Sequence, residues 1–274
     1  MRRSTTSAAT DRRRLAAFLL AELICALFLI GRSDAAPPGP TLAAPASLTT
    51  PTAPATSVEL TDGRTVRLIA LGGAQSASLL SRVAGHLDAA VSAVTAFWGP
   101  DWPRDIVIVA AASPEQFATL AGGTADTAAT TTVDRIMFAP GAAGMDDTSL
   151  RIVLRHELFH FAARADTAVD APQWLTEGVA DYVARPATDI PPLADELMVL
   201  PTDADLAAAG PERSTAYDRA WLFSRFVAER YGPAALRALY MRACGHRHPD
   251  VTTAVRDTLG TDLDTVLAQW RQWL

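Results

Sequence analysis

Residues 153–166, VLRHELFHFAARAD, hold the feature that most restricts this chain: His156, Glu157 and His160 in the spacing H-E-x-x-H. The segment around them reads as a helix over roughly 148–164. Residues four apart on a helix lie one turn apart on one face, so both imidazoles can reach a single ion. Glu157 is the next residue round and can accept a proton from water that such an ion acidifies. The same five residues also suit an ordinary helix whose two histidines hydrogen-bond backbone carbonyls. The two readings differ in what the rest of the chain must supply. A catalytic zinc ion takes three protein ligands and keeps one position open, so a third ligand has to come from elsewhere.

Two candidates for it stand downstream. Asp166 extends the motif to HELFHFAARAD. In the matching metzincin-like pattern a glycine leaves the helix sharply before the last ligand, a turn that needs no Cβ. Here that position is Ala163, which favours continuing the helix. The other candidate is Glu177 in PQWLTEGVADYVAR, on a second predicted helix from about Pro172 to Arg185. Asp181 lies four residues on, on the same face, where it can hydrogen-bond the far nitrogen of a ligand histidine and fix its tautomer. A solvated helix face would also carry two carboxylates. Yet Trp174, Leu175, Val179, Ala180 and Tyr182 are mostly apolar, and carboxylates on buried helices usually have partners.

The chain has 274 residues, 49% of them hydrophobic, enough for one sizeable core. Its net charge is -6, all 24 basic residues are arginine, and no basic patch follows the N-terminus. Nucleic acid is therefore not an expected partner. Cys25 and Cys244 are the two cysteines, so neither a disulfide framework nor a cysteine-rich metal site is available.

Residues 1–35 read as a signal peptide or a signal anchor. Arg2, Arg3, Arg12, Arg13 and Arg14 precede the apolar run LAAFLLAELICALFLI at 15–30, and Ser33-Asp34-Ala35 offers a small-x-small cleavage site. Either form places the body outside the cytoplasm, secreted or held at the membrane through residues 15–30. Residues 36–56 are rich in Pro, Ala and Thr and read as a semi-extended linker. From residue 36 onward 18 arginines face 27 acidic residues, a net charge of -9, which suits solubility.

In the body, SVELTDGRTVRLIAL at 57–71 predicts a hairpin turning at Asp62-Gly63. Residues 75–97 predict one long helix carrying a structural His86. DIVIVAA at 105–111 predicts a buried strand, followed by a helix with Ser113 as N-cap and Pro114 in its first turn. Residues 131–139 predict a third strand. Helices then follow at about 214–231, 233–244, 249–259 and 261–273. Strands first and helices after predict an α+β domain over 57–274, without βαβ alternation. His246 and His248 fall in a predicted loop.

HELFH followed by WLTEGVADY resembles the gluzincin metallopeptidases, the thermolysin-like zincins with H-E-x-x-H and a downstream E-x-x-x-D. Within them the likeness is to the peptidase-MA-like domains of bacterial exported proteins, which often continue with a helix like YDRAWLFSRFVAERYG at 217–232. The specific part spans 153–232. The resemblance implies a zincin fold, with a small N-terminal sheet plus helices and a mainly helical C-terminal part. It implies one zinc ion held by His156, His160 and Glu177, with Glu157 as general base and Asp181 orienting His156. It also implies hydrolysis of a peptide or protein substrate, with Tyr217 supporting the oxyanion. The strand at 131–139 would be the sheet edge along which that peptide lies.

The interval between His160 and Glu177, 16 residues, is shorter than in thermolysin. The aminopeptidases' G-x-M-E-N is absent; GAAGM at 141–145 does not match it. A rival reading keeps the residues but not the reaction: a non-catalytic zinc-binding or scaffold domain at the cell surface.

Overall fold

The computed structural model describes residues 55–124, 126–188 and 198–274. The signal segment, the run at 15–30 and nearly all of the linker lie outside the described residues. Among the described residues no helix is long and apolar enough to cross a membrane.

The hairpin forms as the Asp62-Gly63 turn requires. Strands β1 (Ala55–Glu59) and β2 (Thr65–Ala70) pair antiparallel. Gly63 takes the left-handed conformation, φ 82°, that glycine adopts without steric cost. The predicted long helix is instead two, α1 (Gly73–Ala84) and α2 (Leu87–Trp98). The break falls at Gly85-His86, where glycine weakens the helix and the chain changes partner. From there α1 packs on the sheet and α2 on the motif helix.

Strand β3 (Asp105–Ala110) runs parallel to β2, and helix α3 (Pro114–Ala121) follows it with the Ser113 hydroxyl accepting from the Gln116 amide. The region at 131–139 is two short strands, not one. These are β4 (Ala129–Thr131) and β5 (Ile136–Phe138), antiparallel across residues 132–135. The sheet order is β1-β2-β3-β5-β4, with β3 and β5 also parallel. Two parallel pairings need two crossovers, and α1–α2 and α3 supply them. The α+β class therefore stands, but the sheet half does contain βαβ units. Period-2 alternation covers both faces. Ile106, Ile108 and Ala110 join the main core, while Val109 packs with Phe117 and Met137 beneath α3.

A 3-10 turn (Pro140–Gly144) leads into α4 (Asp147–Ala163), the motif helix. The Asp146 side chain caps it, accepting from the amides of Thr148 and Ser149 at 2.8 and 2.9 Å. Its C-terminal half is buried on nearly every side, as expected of a helix at the centre of a domain. Phe159 meets Trp98 and Tyr240 edge to face, centroids 5.6 and 5.4 Å apart. The remaining helices are α5 (Gln173–Ala184), α6 (Asp203–Ala207), α7 (Pro211–Tyr231), α8 (Pro233–Cys244), α9 (Val251–Leu259) and α10 (Leu263–Trp273).

Helices α5 and α7 meet backbone to backbone at Gly178. A Cβ there would lie 2.4 Å from the Ala220 carbonyl oxygen and 2.8 Å from Ser224 Oγ. Helix propensity alone makes Gly178→Ala stabilising by about 1 kcal/mol. Crowding against fixed backbone reverses the sign, and a net loss of about 1–3 kcal/mol is expected. Urea unfolding of the two proteins measures it, and an alanine variant as stable as the parent would contradict the close approach.

Candidate metal centre

Helices α4 and α5 supply the site. His156 and His160 project from one face of α4, and Glu177 and Asp181 from one face of α5. The Gly178 contact pulls α5 inward at this level, which carries the neighbouring Glu177 into the core. His156, Glu157, Glu177 and Asp181 are all buried.

His156 Nδ1 lies 2.8 Å from Asp181 Oδ1. A carboxylate only accepts, so this nitrogen carries the proton and Nε2 presents a lone pair. That lone pair faces Glu177 Oε2 at 3.2 Å and His160 Nε2 at 2.9 Å. His160 Nε2 stands 3.5 Å from the same Glu177 oxygen. Three groups rich in lone pairs thus converge with no donor among them unless a proton or a cation enters. Two ligands about 2.1 Å from a tetrahedral ion stand about 3.4 Å apart, and the three observed separations bracket that value. His156, His160 and Glu177 are the set among the described residues whose ligand atoms cluster this way, all within 4.8 Å. The donor set, two imidazoles and one carboxylate, suits zinc.

The surrounding charge points the same way. Asp181 Oδ2 accepts from Arg185 Nη2 at 2.5 Å, and Arg185 Nη1 donates to Asp218 Oδ1 at 2.7 Å. The guanidinium also lies over the Trp221 ring, 4.8 Å from its centroid. Among the described residues, four carboxylates (Glu157, Glu177, Asp181 and Asp218) share this buried neighbourhood with one guanidinium. Burial would lower the His156 pKa, but hydrogen bonds to Asp181 and Glu177 outweigh it and raise it to about 10. Burial would raise the Glu177 pKa, but the two imidazoles hold it down at about 2. With protons alone, His156 therefore stands in as the cation. A divalent ion in the same place would displace that proton.

Glu157 points into a different environment. The Thr131 hydroxyl, at the end of β4, lies 2.6 Å from Glu157 Oε2 and 2.9 Å from its backbone carbonyl. Glu157 Oε1 is buried and has no protein partner. Desolvation raises the pKa of this carboxyl, a shift that brings a carboxyl closer to proton exchange near neutral pH. Beside the cluster lies a cavity of about 710 Å³. Its walls include Thr131, His160, Arg164, Glu177 and Tyr240. Strand β4 is the outermost strand of the sheet on this side, so the expected edge is there, although it is three residues long.

The other candidates fall elsewhere. The motif helix ends at Ala163, and Asp166 sits exposed in the following turn, outside the cluster. Without a glycine to redirect the chain, it does not turn back to the histidines. Tyr217 is buried in α7, 3% exposed, and is not among the residues lining the cavity. Tyr240 does line it, its hydroxyl 2.8 Å from Thr167 Oγ1. His86 precedes α2 as its N-cap residue. His246 is exposed and donates from Nε2 to the Ala165 carbonyl, and His248 Nε2 lies 3.4 Å from Asp170. The His246 bond ties the short loop after α4 to the segment following α8, and the Ala168 amide bonded to the Cys244 carbonyl ties it to the end of α8. That tie accommodates the short interval between His160 and Glu177. Sequence reading missed Thr131, Arg185 and Asp218. Arg185 alone left a signal, four residues after Asp181 on the same helix.

No protein-family model matches the chain, and no curated protein matches it in sequence. Solved structures do resemble it. An M1 zinc metallopeptidase from Deinococcus radiodurans is 19% identical over 78% of this chain and 50% of its own, with a TM-score of 0.45. An E323A mutant from the same organism, bound to a Tyr-Ser-Ala substrate, is 18% identical with the same coverage and TM-score. The chain spans about half the length of these structures.

The charge pattern has a consequence for stability without metal. His156 ordinarily titrates at 6.5 and in the fold at about 10. Its stabilising contribution is therefore full below 6.5 and is lost as pH rises through 10. The contribution of Glu177, about 2 in the fold against 4.5, is present above 4.5 and lost as pH falls through 2. With chelator present, the melting temperature of the chain should fall between pH 6.5 and 10, and a His156→Gln variant should lack that part of the fall. Parallel curves for the two proteins would refute the assignment.

Proposed function

We propose that the chain is a zinc-dependent peptidase of gluzincin type. The convergence of the His156, His160 and Glu177 lone pairs, next to an unpartnered buried oxygen of Glu157, carries this reading. A bound zinc ion would supply the Lewis acidity that polarises a peptide carbonyl and activates water near neutral pH.

The chain's own residues do the rest. His156 and His160 present Nε2, and Asp181 fixes the His156 tautomer that leaves this atom free. Arg185 and Asp218 hold Asp181 in turn. Glu157 accepts a proton from the attacking water through Oε1 and delivers it to the leaving amine. Thr131 holds the other oxygen, so the carboxylate keeps one orientation through both transfers. An extended peptide beside β4 would set its carbonyl facing α4, using main-chain hydrogen bonds. Tyr217 as oxyanion support stays part of the proposal on the strength of the resemblance, at the start of the YDRAW stretch. Export rests on the basic and apolar segment of residues 1–30, and residues 57–274 would form the working domain.

About one zinc per chain is expected by elemental analysis of the purified protein, with sharp loss in Glu177→Ala and little change in Asp166→Ala. Glu157→Gln should keep the metal and lower peptide hydrolysis by about 10²–10⁴-fold. Absence of zinc from the parent after supply at neutral pH would end the reading. Unchanged hydrolysis in Glu157→Gln would trace that activity to something else. Thr131→Val should lower kcat with KM little changed, and Thr131→Ser should restore it. A valine variant with normal kcat would remove Thr131 from the mechanism.

A further inference from the structure

The cavity beside the cluster carries an unspent cation. Arg164 follows His160 by one helical turn and forms part of the cavity wall. Among the described residues it has no carboxylate within 4.0 Å, unlike Arg185, Arg219 or Arg225. Its one protein hydrogen bond runs from Nη1 to the Phe161 carbonyl at 3.0 Å, and its guanidinium lies over the Phe161 ring, 3.5 Å from the centroid. Stacking and that bond fix the plane of the fork while most of its five donors stay available. Asp134, close enough to favour the charge, pairs with Arg135 at 3.4 Å. Asp170 and Asp203 also line the cavity, but both are exposed and neither reaches Arg164.

The rim is unusual in the opposite sense. The most exposed large apolar side chains among the described residues are Val133, 77% exposed, and Val169, 69% exposed. Both belong to this one cavity, Val133 from the β4–β5 turn and Val169 from the loop after α4. A half-buried cation framed by two solvated valines matches a ligand with a carboxylate set beside an apolar group.

Resting on the peptidase reading, we propose that Arg164 is a specificity-determining residue. It would select peptides that carry a carboxylate near the cleaved bond, with an apolar neighbour seated at Val133 and Val169. The four helical residues from His160 to Arg164 advance about 6 Å and an extended residue about 3.3 Å, so the carboxylate falls within about two residues of the reacting carbonyl. An acidic side chain and a free C-terminus present the same group. The first would make the chain an endopeptidase with acidic preference, the second a carboxypeptidase.

Four pentapeptides of one apolar sequence, each labelled at the N-terminus with an uncharged dansyl group, separate these cases. One has Glu at the fourth position and an amidated C-terminus. One has Gln there with a free carboxylate, one has both carboxylates, and one has neither. Cleavage is followed with the full, zinc-supplied chain and its Arg164→Gln and Arg164→Lys variants, and binding by fluorescence anisotropy with Glu157→Gln and Glu157→Gln/Arg164→Gln. The carboxylate peptides should be favoured over the neutral one by about 10- to 100-fold in kcat/KM and in affinity, the usual range for a charge-assisted hydrogen bond. Arg164→Gln should collapse that ratio and Arg164→Lys should keep part of it. Whichever single-carboxylate peptide shows the preference identifies the source. Equal treatment of all four peptides, or a preference that survives Arg164→Gln, would overturn the proposal while leaving the peptidase reading intact. Selective binding lost with Arg164, but with no cleavage by the parent, would instead remove the peptidase reading. No measurable binding of any peptide would overturn the Arg164 assignment as well.

Discussion

Three lone-pair-bearing atoms held within 3.5 Å of one another, two of them on fully buried side chains, repel unless something positive sits between them. Much of the surrounding structure can be read as the means of keeping them there. Asp181 fixes the ring's orientation, since its bond to His156 Nδ1 keeps Nε2 turned towards Glu177 and His160. Arg185 then balances Asp181, and Asp218 balances Arg185. Such a chain of buried charges is costly to assemble and contributes little stability compared with apolar packing. Its retention in the core is better explained by the site it orients.

Packing makes the arrangement rigid. Helix α4 runs through the centre of the domain, pinned by its Asp146 cap at one end and by Phe159 against Trp98 and Tyr240 near the motif. Helix α5 reaches it only because α7 closes from behind at Gly178, where no side chain intervenes. The sheet enters through one residue. Thr131, ending the edge strand, touches the general-base candidate directly, so the surface on which a peptide would lie and the group that would move its proton share a hydrogen bond.

Local chemistry made several elements legible in advance. The Asp62-Gly63 hairpin, the Ser113-Pro114 helix start and the helices from 211 onward follow from turn residues, caps and 3.6-residue periodicity. The misreadings share a cause. Residues 75–97 keep one apolar period through Gly85-His86, and only the need to serve two packing partners breaks it. Residues 131–139 are β-prone on either side of Asp134-Arg135, and the turn at 132–135 folds them back on themselves. Parallel pairing of β2, β3 and β5 leaves no mark on the strands alone, because it depends on what the intervening helices cover.

The spacing of His156, Glu157 and His160, and of Glu177 and Asp181, determines by itself which side chains share a helix face, because helical geometry is local. The sequence also set the net charge of the chain, its count of two cysteines and the early place of the strands within residues 55–274. It left Asp166 and Glu177 as rivals, and it held no sign that Thr131 or Asp218 lay near the motif. Those placements depend on how α5 packs against α7, where the sheet edge ends and how the loop after α4 is tied to α8. Contacts between residues 20 to 80 positions apart are decided by shape and burial across the whole core, and no local pattern encodes them.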